Sequence, residues 1–216
     1  MINALFLLAA ASANGLTAVD AEIAFARDAK RIGQWSAFRK WADRDAVMFT
    51  PQAVWATTFL KGRKDPPKSI SWRPTQSFVS CDGRTAVNTG PWFTQDSRIA
   101  GYFTTVWQRT PRGWRWVYDG GVPSPAKGVN HTTLRTVMAS CTTRAPGAPV
   151  NPPPKLNAKQ ALTTPQDTGR GESADNTLGW SWKVTARGAR TLRVFLWNGR
   201  RYDEVVQASD PSPRHK

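Results

Sequence analysis

The stretch from Gly101 to Asp119, GYFTTVWQRTPRGWRWVYD, narrows the possible folds more than any other. Two runs rich in β-branched and aromatic residues flank Thr110-Pro111-Arg112-Gly113, whose Pro and Gly supply the restricted and the permissive backbone of a tight turn. The segment therefore reads as a β-hairpin. If Arg109 pairs with Trp114, alternation puts Phe103, Thr105, Trp107, Trp114, Trp116 and Tyr118 on one face. Tyr102, Thr104, Val106, Val117 and Asp119 fall on the other. Both faces carry bulk, so both must meet protein or line a pocket.

Upstream the texture is helical. Ala21, Phe25, Ala29 and Ile32 recur at helical spacing within Asp20 to Ile32, with Arg27, Asp28, Lys30 and Arg31 mostly off that stripe. Gly33 breaks the helix, and Trp35, Phe38 and Trp41 form a second short stripe. Asp43-Arg44-Asp45 then turns into a brief strand, Ala46 to Phe49. Thr50-Pro51 offers an N-cap and a first-turn proline for a third helix carrying Trp55 and Phe59, ended by Gly62.

Beyond Pro66-Pro67 only strands and turns follow, to Asp119. Gln76 to Cys81 and Arg84 to Thr94 flank Asp82-Gly83, a strong hairpin signal. Helices first and strands afterwards predict an α+β fold. After Asp119 a short helix is expected over Thr132 to Ala139. Residues 143–176 read as a Pro-rich and polar linker, unstructured over Gln166 to Asn176. Residues 177–208 read as a three-stranded meander with an Asn198-Gly199 turn, and 209–216 as a tail. Three strands of this size do not hold together alone, so the meander is expected to dock on the 20–142 domain and extend its sheet.

Residues 1–19 form a lead-in. Ala4 to Ala11 is an apolar run ending in Ala11-Ser12-Ala13, which resembles a secretory signal peptide, although no Lys or Arg precedes it. Export to the periplasm or medium is one reading; an apolar terminus of a cytosolic protein is the other. The run is too short to span a membrane. Cys81 and Cys141 either form a disulfide in an oxidising compartment or are separate buried thiols. With His131 and His215 the only histidines, and no CxxC, the sequence offers no zinc site, and no cofactor motif is present. The net charge of +15 favours an anionic surface as partner. Yet residues 1–142 hold 18 basic and 9 acidic side chains and residues 143–216 hold 12 and 6, so no basic arm stands out. Export argues against nucleic acid as the natural partner.

The segments AEIAFARDAKRIG, WSAFRKWADRDAVMFTPQAV, SFVSCDGRTAVNTGPW and the opening hairpin resemble the nuclear-transport-factor-2-like superfamily, SnoaL-like bacterial domains in particular. The resemblance covers Asp20 to Asp119. It implies a curved antiparallel sheet wrapped around the helices as a cone, with a pocket at its open end, and homodimers are common in the superfamily. Its members range from isomerases and cyclases to association modules, so fold does not carry function. Trp35, Trp55, Trp72, Trp92, Tyr102 and Trp107 are candidate pocket residues for a small apolar or aromatic ligand, against the alternative that they are core. Asp119, beside Tyr102, is the candidate general base; capping the turn at Gly120-Gly121 is its alternative role. Asp43 and Asp45 read as turn caps. Three functions follow: a non-catalytic binding or association module, an isomerase, cyclase or lyase based on Asp119, or a binder of anionic polymers.

Overall fold

The computed structural model describes residues 16–96, 100–124, 133–149 and 167–211. The candidate leader, His131, His215 and the Pro152-Pro153-Pro154 segment lie outside them. Helix α1 (Ala18–Ile32) begins at Thr17, whose hydroxyl accepts from the Asp20 amide while the Asp20 carboxylate accepts from the Thr17 amide. This reciprocal box satisfies two donors that a helix start leaves free. The buried face is Ala18, Ala21, Glu22, Phe25 and Ala29; Ile32, expected there, sits at the helix end and is exposed.

Helix α2 (Gln34–Trp41) follows Gly33, which has φ of 102°. Asp65 caps it from a distance, accepting from the Ser36 amide (2.9 Å) and hydroxyl (2.6 Å). A Cβ on Gly33 would stand 2.2 Å from the Asp65 carboxyl carbon. Buried Asp28 fastens the two helices together: it accepts from Arg31, from Lys40 and from the Trp41 indole.

Strand β1 (Ala42–Phe49) starts directly after Trp41. Asp43 and Asp45 therefore lie inside a strand rather than capping a turn. The third helix also begins later than expected. Thr50 and Pro51 turn the chain into β2 (Ala53–Trp55), which pairs back on β1, and only Ala56–Leu60 is helical (α3). Apolar partners for Ala53 and Val54 across the hairpin outweigh the local helix-start chemistry.

Strands β3 (Ser71–Trp72), β4 (Gln76–Val79), β5 (Thr85–Phe93), β6 (Ala100–Thr110), β7 (Gly113–Pro123) and β8 (Arg135–Met138) complete the first sheet. It is large and curved, in the order β2-β1-β7-β6-β5-β4-β8, with β3 on β5. All its pairings are antiparallel except β1–β7 and β4–β8. The helix expected over Thr132 to Ala139 is thus a strand. Val137 lies opposite Phe78, and the open edge of β4 supplies a ladder that an isolated turn of helix lacks.

In the hairpin Arg109 does face Trp114. Further along, Trp107 pairs with Trp116 but Val106 pairs with Tyr118, so Val117 is an extra, bulged residue. Alternation reverses beyond it. Tyr118 joins Val106, and Asp119 joins Thr105 and Phe103, where unbroken alternation predicted the opposite.

The two faces serve two cores. On one, Trp107, Trp114 and Trp116 pack with Phe25, Phe38, Ala46 and Leu60. Phe25 meets Phe38 and Trp72 edge-on, each at 4.8 Å between ring centroids. On the other, Val87, Val106 and Tyr118 pack against a second sheet of β9 (Thr168–Glu172), β10 (Leu178–Val184), β11 (Arg190–Trp197) and β12 (Tyr202–Asp210), ordered β12-β11-β10-β9. The C-terminal strands pack against the first sheet through this core. They form a separate sheet packed face to face, however, and do not extend the first. Strand β9 comes from a stretch expected to be unstructured: Gly171 and Gly169 lie opposite Trp180 and Trp182, leaving room for each indole to lie across β9.

A disulfide joins Cys81 and Cys141 at the junction of the sheets. Beside it the Cys81 amide donates to the Thr177 hydroxyl and the Ser140 amide to the Trp197 carbonyl.

Candidate active or ligand site

The bulge at Val117 delivers Asp119 to the helix-facing side of the first sheet, in mid-strand rather than at a strand end. The Thr105 hydroxyl donates to its carboxylate at 3.0 Å. Asp119 keeps some solvent contact through a cavity of about 360 Å³, walled by Met48, Phe49 and Pro51 on one side and Trp92, Gly120 and Gly121 on another. Arg190 and Asp210 of the second sheet also line this cavity. Burial pushes the Asp119 carboxyl up to about 6, against the Thr105 hydrogen bond and the Arg190 charge, which favour the anion. Asp210 is also shifted up by burial and opposed by Arg190.

A second carboxylate, Glu22, lies fully buried on α1. The indole of Trp107 donates to it at 2.6 Å and that of Trp72 at 2.8 Å, with the Asn88 amide at 3.4 Å. Burial pushes it up to about 7; the donors oppose this, and the nearby Asp119 charge adds to it. Glu22 was absent from the sequence-derived candidates. Its signal was present: it is three residues before Phe25 and seven before Ala29, on the apolar stripe.

The expected pocket residues separate. Trp92 lines the cavity. Trp72 and Trp107 hold Glu22. Trp35 packs edge-on against Phe38 and Phe59 on the helical side. Trp55 packs against the core shared with the second sheet. Tyr102 pairs with Val122 and lies on the opposite face from Asp119, so the two are not neighbours in one site. Tyr118 is buried, its hydroxyl pushed up strongly by that burial, and it too faces away. Among the described residues no cluster of three His, Cys, Asp or Glu forms a metal centre, and no helix is long and apolar enough to cross a membrane.

No family model matches the chain, and no curated protein does. Solved structures do. A protein of unknown function of the DUF3225 family from Pectobacterium atrosepticum is similar at 18% identity, over 49% of this chain and 88% of its own, with a TM-score of 0.38. A candidate ketosteroid isomerase from Parabacteroides distasonis is similar at 19% identity, over 50% and 88%, with a TM-score of 0.40. A candidate aromatic ring hydroxylase from Novosphingobium aromaticivorans is similar at 17% identity, over 47% and 82%, with a TM-score of 0.34.

Proposed function

We propose that the protein is a small-molecule-binding module whose ligand enters a cone-shaped first sheet at the Asp119 cavity. The observation that carries this is the cavity that Asp119 lines together with Trp92, Met48 and Phe49. An apolar cleft with few convergent polar groups is the usual form of a ligand site. Screening aromatic fragments by the Trp92 indole N–H signal in ¹H–¹⁵N NMR tests it; the absence of any fragment that moves that signal would end the reading.

Proton transfer with Asp119 as general base is the second reading, favoured by a carboxyl held near 6. Binding without turnover is preferred because neither Tyr102 nor Tyr118 shares the face of Asp119 to act as its acid partner. Export to an oxidising compartment belongs to the same proposal and agrees with the Cys81–Cys141 disulfide. Amino-terminal sequencing of protein from its host tests it, and native mass spectrometry tests the homodimer. Retention on heparin that falls steeply with salt would instead support binding of anionic polymers.

A further inference from the structure

Arg190 opens β11 and is only 7% exposed. Its Nη2 donates to the Gly121 carbonyl at 2.5 Å and to the Asp210 carboxylate at 3.3 Å. Its guanidinium carbon stands 4.4 Å from the Phe49 ring centroid, a cation–π contact that helps hold the group in place. Among the described residues, no acceptor meets Nε or Nη1. These N–H groups are not among the buried atoms without a partner, so they reach solvent and remain available to an acceptor in the adjoining cavity.

Asp119 makes the complementary demand in the same cavity. Thr105 donates to one of its oxygens, a carboxylate has room for further donors, and Asp119 lines the same cavity. The charges limit what can meet both. A lone anion would approach Arg190 in the presence of two carboxylates, Asp119 and Asp210. A lone cation would satisfy Asp119 but leave the free N–H groups of Arg190, whose charge Asp210 already balances, without an acceptor. A molecule carrying both charges at one end and an apolar body at the other gives both Arg190 and Asp119 a partner, with Trp92, Phe49 and Met48 also lining the cavity. The volume lies within the usual range for small-ligand clefts, roughly 300–1,000 Å³.

We propose that this cavity binds a small zwitterion of the α-amino-acid kind with an aromatic or apolar side chain, its carboxylate on Arg190 and its ammonium on Asp119. The second sheet thereby completes a site that the first cannot form alone. The inference rests on the ligand-binding reading above and names its ligand class.

Three probes test it by calorimetric titration of the full chain in low salt: L-phenylalanine, phenylacetate and phenethylamine, with indole as a neutral fourth. Phenylalanine is expected to bind at least about tenfold more tightly than either singly charged probe. R190Q should reduce phenylalanine to the affinity of phenethylamine, and D119N to that of phenylacetate. Equal or tighter binding of a singly charged probe, or no binding of phenylalanine, overturns the inference. If indole still moves the Trp92 N–H signal in that case, only the zwitterion is lost; if none of the four does, the ligand-binding reading falls with it. Should either variant fail to fold, the comparison of probes on the unaltered protein decides alone.

Discussion

Glu22 makes the stability of this protein depend on pH in a direction opposite to ordinary acid denaturation. A buried carboxyl whose folded value lies above its unfolded one binds its proton more tightly when folded. Its contribution is fully present below the unfolded value of 4.5 and is lost as pH rises through about 7. Each unit of difference is worth about 1.4 kcal/mol, so the loss across this window is about 3 kcal/mol. Glu22→Gln removes the titration. It also sets an amide N–H₂ against donors already aimed at that site, the indoles of Trp72 and Trp107, at a cost of about 1–3 kcal/mol that is independent of pH. Urea denaturation of both proteins near pH 5 and near pH 8 isolates the effect, because the other titrating groups largely cancel in the double difference. The unaltered protein should be clearly the more stable at the lower pH. Between the two pH values the difference should shift against the unaltered protein by about 2.5 kcal/mol, cancelling or reversing the gap. Parallel pH profiles for the two proteins would show that Glu22 ionises in the folded state as it does in the unfolded chain, and would refute the account of its burial.

Asp28→Asn should destabilise the helical pair by about 2 kcal/mol, since Lys40 and Arg31 lose a charged acceptor; this carboxyl is held down at about 2, so its contribution should disappear only as pH falls through that value. Gly33→Ala must place a side chain at φ 102° and against the Asp65 carboxylate, and should lower stability by about 1–3 kcal/mol in thermal or urea melts, where an unchanged midpoint would contradict the close approach. Replacing Cys81 and Cys141 together by serine opens a crosslink across 60 residues and should cost up to roughly 4 kcal/mol, read as a fall in urea midpoint that reductant reproduces in the parent protein. If Asp119 is a base, the rate of any reaction found should rise through about pH 6 and vanish in D119N; a profile flat across that range would exclude it.

Much of the fold was legible because its causes are local. The Thr110–Gly113 turn, the Asp82-Gly83 turn, the α1 stripe and the α+β order all depend on residues close in sequence. The errors occur where partners are distant. Strand β8 exists because β4 offers an edge, and β2 because β1 does. Alternation in the hairpin was read correctly from its tip and failed at Val117, since nothing in WRWVYD announces an added residue. That one bulge separated Tyr102 from Asp119 and redrew the candidate site. Arg190 and Asp210 could not be placed beside it from sequence, because their approach depends on how two sheets stack, whereas Glu22 on its apolar stripe was within reach.

The glycines of β9 carry a consequence for sequence change. A Cβ at Gly171 would come within 2.1 Å of the Trp180 ring, and one at Gly169 within 2.4 Å of Trp182. Even a methyl group at either place would force an indole back into a filled interior. In a saturation library, a segment that resembles spacer should therefore show two intolerant positions two residues apart, a pattern of mutational sensitivity that composition alone would assign to the middle of a core strand.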